Sequence, residues 1–565
     1  MQNRTAFSAP LHIGSVAALL LFAACGGGAE KPAMGSGGSS SLPIAGATAA
    51  GANGGIAGEP NRAGGSNGGA PMAGIGGAGA GGIAAGSMGG GGVSGGGIAA
   101  GGVSGSMDAM GGAGMTAGGG GSIGTAGGAG GGSNGPLPPA VTSLFPRPGA
   151  TGVCLDVPLT LTFANAPNIG NKGTIAIYAK ASPNTVVDQV DLAATTFSDS
   201  IGGLSKNLVR PVFIDGTSAV VYFHQHKLAA NTTYFVTISS GAFLDGQKNA
   251  IATISEPTAW TFTTGAAPTA SASMAVNRTG NGGFCTVQGA FDALPSNDAT
   301  ARTITVAAGS YHELLNLSGK KSVTLRGADR AGTVIRYPNN EKLNAGTSGR
   351  PLFFANGSTD LTIENLTIYN TTPQDGSQAE ALRVQADRVT LRDVNLKSLQ
   401  DTLLTSGSVY VVNSYLEGNV DFVWGTGPAY FDRCEIKTVG RAGAIVQARN
   451  AASGYGYVFV DSKITSDPQV TGQVLARIDA TVYPSSNVAY LNCQMSSGIA
   501  AKGWTITPAG TSATGQLRLW EYQSRDASGA LLDVSGRDPA SKQLSASQAA
   551  SVRDKATVLN GWNPQ

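Results

Sequence analysis

The chain has 565 residues, but 85 of them are glycine, concentrated between Gly26 and Gly135, so length overstates the folded mass. Charged residues make up 12% and the formal net charge is +2. That balance excludes the basic field needed to hold nucleic acid and any acidic interaction tail.

At the N-terminus, Arg4 precedes an apolar run from Ile13 to Phe22 that is too short to span a bilayer. It ends in Leu21-Phe22-Ala23-Ala24-Cys25, which resembles a bacterial lipobox. The resemblance implies a signal peptide over residues 1–24, a lipid-modified Cys25, and an outer-membrane lipoprotein held at the membrane by its acyl chains. Residues 25–137 are Gly, Ala and Ser with no sustained period, and cannot bury enough apolar surface to offset chain entropy. A disordered tether is expected, roughly 55–60 Å in root-mean-square span.

Residues 138–267 change texture. Leu159–Phe163, Thr174–Tyr178, Ala219–Phe223, Tyr234–Ile238 and Trp260–Thr264 read as short strands separated by Gly, Pro and Asn, which predicts a β-sandwich. Its opening and closing segments resemble bacterial Ig-like domains, implying a spacer or a module that sits near glycan. His224 and His226 alternate on one predicted strand with no carboxylate companion in the sequence, so they are expected on the surface facing water rather than holding a metal. Cys154, Cys285, Cys434 and Cys493 are too scattered for a metal knuckle or a dense disulfide framework.

From 270 to 565 the chain repeats. Leu361–Ile368, Val389–Leu396, Val409–Leu416, Ala429–Ile436, Tyr457–Ile464 and Val488–Met495 carry apolar or small residues at the first, third, sixth and eighth positions. The fifth is Asn365, Asp393, Asn413, Arg433, Asp461 or Asn492. Alternation breaks there and then resumes, as at a corner in the left-handed region joining two strands. Coils that cannot bury a face alone must stack, so the expected fold is all-β: a right-handed parallel β-helix behind an Ig-like sandwich. Cys434 and Cys493 share an interior position two coils apart, about 9.6 Å, which is too far for a disulfide.

The same register places chemistry. Asp401 follows Val389 by the spacing at which Asp421 follows Val409, so the two acids should stack about 5 Å apart on adjacent coils. Carboxyls that close are sorted into a proton donor and an ionised nucleophile or base. Gln378 and Gln400 could stabilise an oxyanion, Arg477 could keep Asp421 ionised, and Trp424 offers a face to a sugar ring. The domain's one histidine, His312, leaves no serine-type triad.

In order along the chain stand Gly309-Ser-Tyr311-His-Glu313, Gln378-Ala-Glu380-Ala-Leu382, Gln400-Asp401-Thr-Leu403, Asp421-Phe422-Val-Trp424-Gly425 and Leu475-Ala-Arg477. Together they resemble the signature blocks of the pectin methylesterases, and Phe284–Pro295 resembles that family's cap helix. The resemblance implies Asp421 as nucleophile on a galacturonate methyl ester, Arg477 holding it, Asp401 as acid and then base, and Gln378 and Gln400 at the oxyanion. Phe422, Trp424, Asp479 and Glu380 are the expected substrate contacts. No metal or organic cofactor is implied, and the partner would be methyl-esterified polygalacturonate met by a secreted monomer. Two positions depart from the pattern: Asp479 stands where an aromatic residue is usual, and Glu380 where an apolar one is. If they face the cleft, both charges should disfavour de-esterified pectin. An esterase for another glycan ester or thioester, or a non-catalytic glycan-binding protein, are the competing readings.

Overall fold

The computed structural model describes residues 137–280, 283–374, 376–509 and 516–565. The signal peptide, Cys25 and the tether expected at the N-terminus lie outside these residues. No helix among the described residues is long and apolar enough to cross a membrane.

The first part is a sandwich. Val141–Phe145, Leu159–Phe163, Ser218–Val221 and Val212–Asp215 form one sheet; Ala150–Val153, Thr261–Thr264, Thr233–Ile238, Thr174–Ala179 and Val186–Asp191 form the other. Alternating residues such as Leu159, Leu161, Ile175, Ile177 and Val236 are fully buried between them, with Trp260 completing the core through a hydrogen bond from Nε1 to the Pro146 carbonyl at 2.7 Å. The strand expected to carry His224 and His226 stops at Val221. Each histidine has its own carboxylate instead, Asp188 at 2.8 Å and Asp292 at 3.2 Å, so the expectation that they lacked acidic partners is corrected. A separate hairpin, Phe197–Ile201 and Leu204–Leu208, reaches out of the sandwich toward the second part.

That second part is a parallel β-helix. Every described pairing in its 17-stranded and 8-stranded sheets outside the isolated bridges is parallel. The six repeats stack in the expected register: Leu361, Val389, Val409, Ala429, Tyr457 and Val488 form one inward ladder, and Ile368, Leu396, Leu416, Ile436, Ile464 and Met495 another. All six fifth-position residues have φ between +49° and +57°. Inside, Phe431, Phe459 and Tyr490 stack at 4.4 and 4.6 Å, the spacing of successive coils. Cys434 and Cys493 are buried free thiols.

The N-terminal end is capped by helix Val287–Ala293, started by Thr286, whose hydroxyl accepts from Gly289 N. Helices Ala546–Arg553 and Lys555–Val558 cover an outer apolar strip that includes Tyr410, Tyr430 and Val458. One feature of the cysteines escaped the sequence: Cys154 of the sandwich is bonded to Cys285 at the cap of the β-helix, with a Cα separation of 6.0 Å.

Candidate active site

The site grows from a second set of corners. Strands Leu403–Thr405 and Val423–Gly425 pair in register, and the residues two positions before each are Asp401 and Asp421. Both acids adopt the left-handed region, φ +67° and +48°, where Asp is among the few non-glycine residues tolerated. Asp401 N donates to the Val420 carbonyl at 3.1 Å and Asp421 N to the Ala444 carbonyl at 2.7 Å, which pins both corners to the coil that follows. Strand Leu382–Arg392 pairs with Leu403 through Leu382, so Glu380 occupies the same column one coil earlier. Three acids on three successive turns line up, all buried.

Such a column persists only if its charge is answered. Arg477 forks onto Asp421, with Nε donating to Oδ1 at 3.2 Å and Nη2 bonded to Oδ2. Arg350 answers the other two: its Nε donates to both oxygens of Glu380 at 2.9 Å and its Nη2 to Oδ2 of Asp401 at 3.0 Å. Its Nη1 donates to Glu341 at 3.0 Å. Burial drives the proton affinity of Asp401 well above the usual carboxylate range; Glu380 and Asp421 push the same way, while Arg350 and Arg449 oppose. Glu380 is raised by burial and held back by Arg350. The arrangement can therefore keep a proton on Asp401 beside a guanidinium-bound Asp421.

Gln400 sits next to Asp401, bridged to Val420 of the next coil, and Ala379 N donates to the Gln400 carbonyl, which brings Gln378 alongside. Both glutamines are half-buried, and their side-chain amides make no hydrogen bond among the described residues. Among the described residues, two unpartnered amides thus stand beside two carboxyls.

A pectinesterase family model matches residues 273–551, and a bacterial Ig-like domain model matches 136–264. Pectinesterase 31 of Arabidopsis thaliana is 30% identical over 215 residues, covering 36% of this chain and 68% of the relative. The chain belongs to the pectinesterase family. A probable pectinesterase A of Neosartorya fischeri is 27% identical over 293 residues, covering 50% of this chain and 86% of that one. Among solved structures, the carrot pectin methylesterase shares 23% identity, with 52% of this chain and 95% of that chain covered and a TM-score of 0.47. Pectinesterases are carboxylic ester hydrolases.

The four expected substrate contacts of this pectinesterase differ in exposure. Trp424 is buried, pairs in register with Gln447, and has Arg449 over its ring at 4.6 Å and Arg350 at 5.5 Å. Asp479 is half-buried, two residues beyond Arg477 on strand Val474–Asp479 and therefore on the same face. Hydrogen bonds from Thr481 and Val482 to its carboxylate hold its pKa below the usual range, so it carries a fixed negative charge. Glu380 is fully buried and clamped by Arg350 and cannot touch substrate, which corrects the expectation of a second cleft charge. Phe422 is also fully buried among the core side chains and is corrected likewise. Arg350, Arg449 and Tyr483, whose ring lies 5.9 Å from Arg449, were not foreseen. None belongs to a motif block, and nothing in the sequence pattern marked them.

Proposed function

We propose that this pectinesterase is secreted and removes methyl esters from polygalacturonate, with Asp421 as nucleophile and Asp401 as acid and base. The observation that carries the reading is the stack of Asp401 on Asp421 with Arg477 forked onto Asp421. Asp421 attacks the ester carbonyl, and the oxyanion is met by the amides of Gln378 and Gln400. Collapse breaks the bond to the methoxy oxygen, which takes the proton of Asp401 and leaves as methanol. The resulting anhydride is cleaved by water whose proton returns to Asp401, freeing the galacturonate carboxylate and Asp421. Trp424, with Arg449 and Arg350 over its ring, would meet the sugar by its ring edge. The Cys154–Cys285 bridge supports an oxidising, exported location, consistent with the lipobox-like sequence and a membrane anchor at Cys25.

Methanol release from highly esterified pectin by the full chain is the test. Asp421→Ala should retain its melting transition and lose on the order of 10³-fold or more in rate. A wild-type protein that releases no methanol, or an alanine variant that still does, sinks the assignment. Asp479 favours one second reading, a different glycan ester, because its charge stands where the family usually offers an aromatic face. Faster hydrolysis of acetylated glycans than of methylated pectin would select it.

A further inference from the structure

The hairpin that leaves the sandwich does not end on neutral ground. Asn207 N donates to Oδ1 of Asn344 at 2.8 Å, and Asn344 Nδ2 donates back to the Asn207 carbonyl at 2.8 Å. Asn207 Nδ2 reaches the Leu343 carbonyl at 3.0 Å. Lys206, only 4% exposed, donates from Nζ to the carbonyls of Ser348 and Gly349 at 2.8 and 2.5 Å. The segment so gripped, residues 339–350, ends in Arg350, the side chain that holds Glu380 and Asp401.

A lysine buried this deeply without a bonded carboxylate is uncommon and costly. Burial lowers its pKa to about 8, Arg383 adds to that effect, and Glu380 opposes it. Gluing two domains together would need no buried charge. The two carbonyls it holds immediately precede Arg350, and they fix where the guanidinium emerges. Arg350 in turn occupies Oδ2 of Asp401, which leaves Oδ1 to carry the proton. Without that constraint either oxygen can be protonated, and the acid loses its aim.

We propose that the Ig-like domain is part of the catalytic apparatus: through Lys206 and Asn207 its hairpin positions the 339–350 segment so that Arg350, backed by Glu380, orients the proton of Asp401. Lys206, Asn207 and Arg350 are positioning residues; none needs to touch substrate. The inference rests on the assignment of Asp401 as acid and base. The charged groups facing Asp401 are Glu380 from the coil before, Asp421 from the coil after, Arg350 from the gripped segment, and Arg449 and Arg477 from later coils.

The experiment compares wild type, Lys206→Met, Lys206→Arg and Asn344→Ala as full chains, reading kcat and KM for methanol release across pH together with thermal melts. Lys206→Met should lower kcat on the order of tenfold to a hundredfold, the range expected for a small misplacement of a reacting group, with KM within about twofold. Arg350 lowers the proton affinity of Asp401, so its withdrawal should move the alkaline limb of kcat/KM upward by about half a pH unit or more. Lys206→Arg, which keeps a charged donor, should recover most of both effects. If Lys206→Met does not fold, Asn344→Ala carries the comparison with the same signs. A folded variant with the wild-type kcat and alkaline limb, whatever its melting temperature, overturns the inference while the enzyme assignment stands. Absence of methanol release by the wild type overturns both.

Discussion

Carboxyl groups drawn in from solvent at two regions of this molecule have their charge answered by different means. At the cap of the β-helix, Asp156 accepts from Cys285 N, Thr286 N and the Thr286 hydroxyl, while Glu313 accepts from Val287 N and Gln288 N. Apart from the Thr286 hydroxyl, these donors are backbone amides at the start of a helix, fixed by the fold and unable to move without unwinding it. In the cleft, Glu380, Asp401 and Asp421 are answered by side chains, Arg350 and Arg477, that arrive from other coils and loops. Backbone-held acids organise a junction; guanidinium-held acids can exchange partners and protons with a substrate. The motif blocks contain both kinds, Glu313 and the two aspartates, and their donors are what tell them apart.

Removing a donor from each region should break the comparison most visibly in the cleft. Arg350→Ala leaves Glu380 and Asp401 buried without their cation, a change expected to cost about 3–5 kcal/mol near neutral pH. The loss should shrink as pH falls and the two acids take up protons, so denaturant melts at acid and neutral pH are the measurement. Equal losses at both would mean that Arg350 serves packing alone. At the junction, the comparable element is the bridge that ties the sandwich to the cap. Replacing Cys154 and Cys285 together by Ser should cost about 2–4 kcal/mol, make the melt insensitive to reductant, and leave methanol release nearly intact. A large loss of activity at preserved stability would show that the junction works through the bridge rather than through the hairpin.

The sequence carried the cleft aspartates for a physical reason: coil length equals residue spacing, so two acids at matching positions of adjacent repeats must stack. The corners at Asn365, Asp393, Asn413, Arg433, Asp461 and Asn492 were legible because a left-handed residue interrupts a period of two, and all six adopt it. Phe422 is expected in contact with substrate only through the family resemblance, and the corners at Asp401 and Asp421 show why it is buried instead. After a positive φ the alternation restarts, and Phe422 and Val423 are both fully buried where a continuous strand would turn one outward. Arg350 left no trace, since it stands in the loop before strand Phe353–Glu364, outside the repeats, and its contact with Asp401 spans 51 residues of sequence. The Cys154–Cys285 pairing, 131 residues apart, depends on how two domains dock, which no local pattern encodes.

The junction has its own pH signature. Burial pushes Glu313 up to about 8, against the pull of its two backbone donors. A carboxyl raised in the folded state binds more protons there than in the unfolded chain, so its contribution to stability is present at low pH and is lost as pH rises from about 4.5 to about 8. Glu313→Gln removes the titration but also replaces one acceptor with an amide N–H₂ that faces a donor. The variant should therefore be less stable by about 1–2 kcal/mol at pH 5, and the gap should close toward pH 8. A gap that widens with pH would mean the carboxylate, not the acid, is the form the helix start prefers.

The smallest expected effect tests whether fixed charge in the cleft selects substrate. Asp479 keeps its carboxylate ionised through Thr481 and Val482, on the face shared with Arg477. A galacturonate chain with free carboxylates brings like charge to that face, whereas a methylated chain brings none. Partial exposure and salt screening limit the discrimination to about 1 kcal/mol, or several-fold in kcat/KM. Asp479→Asn should raise kcat/KM for sparsely methylated pectin several-fold, leave highly methylated pectin nearly unchanged, and lose the difference at high salt. Asp479→Trp adds an aromatic surface and should improve both substrates, so only the asparagine variant isolates charge from stacking. If it leaves the ratio between the two pectins untouched, the cleft reads the ester through Arg477 and the glutamines alone.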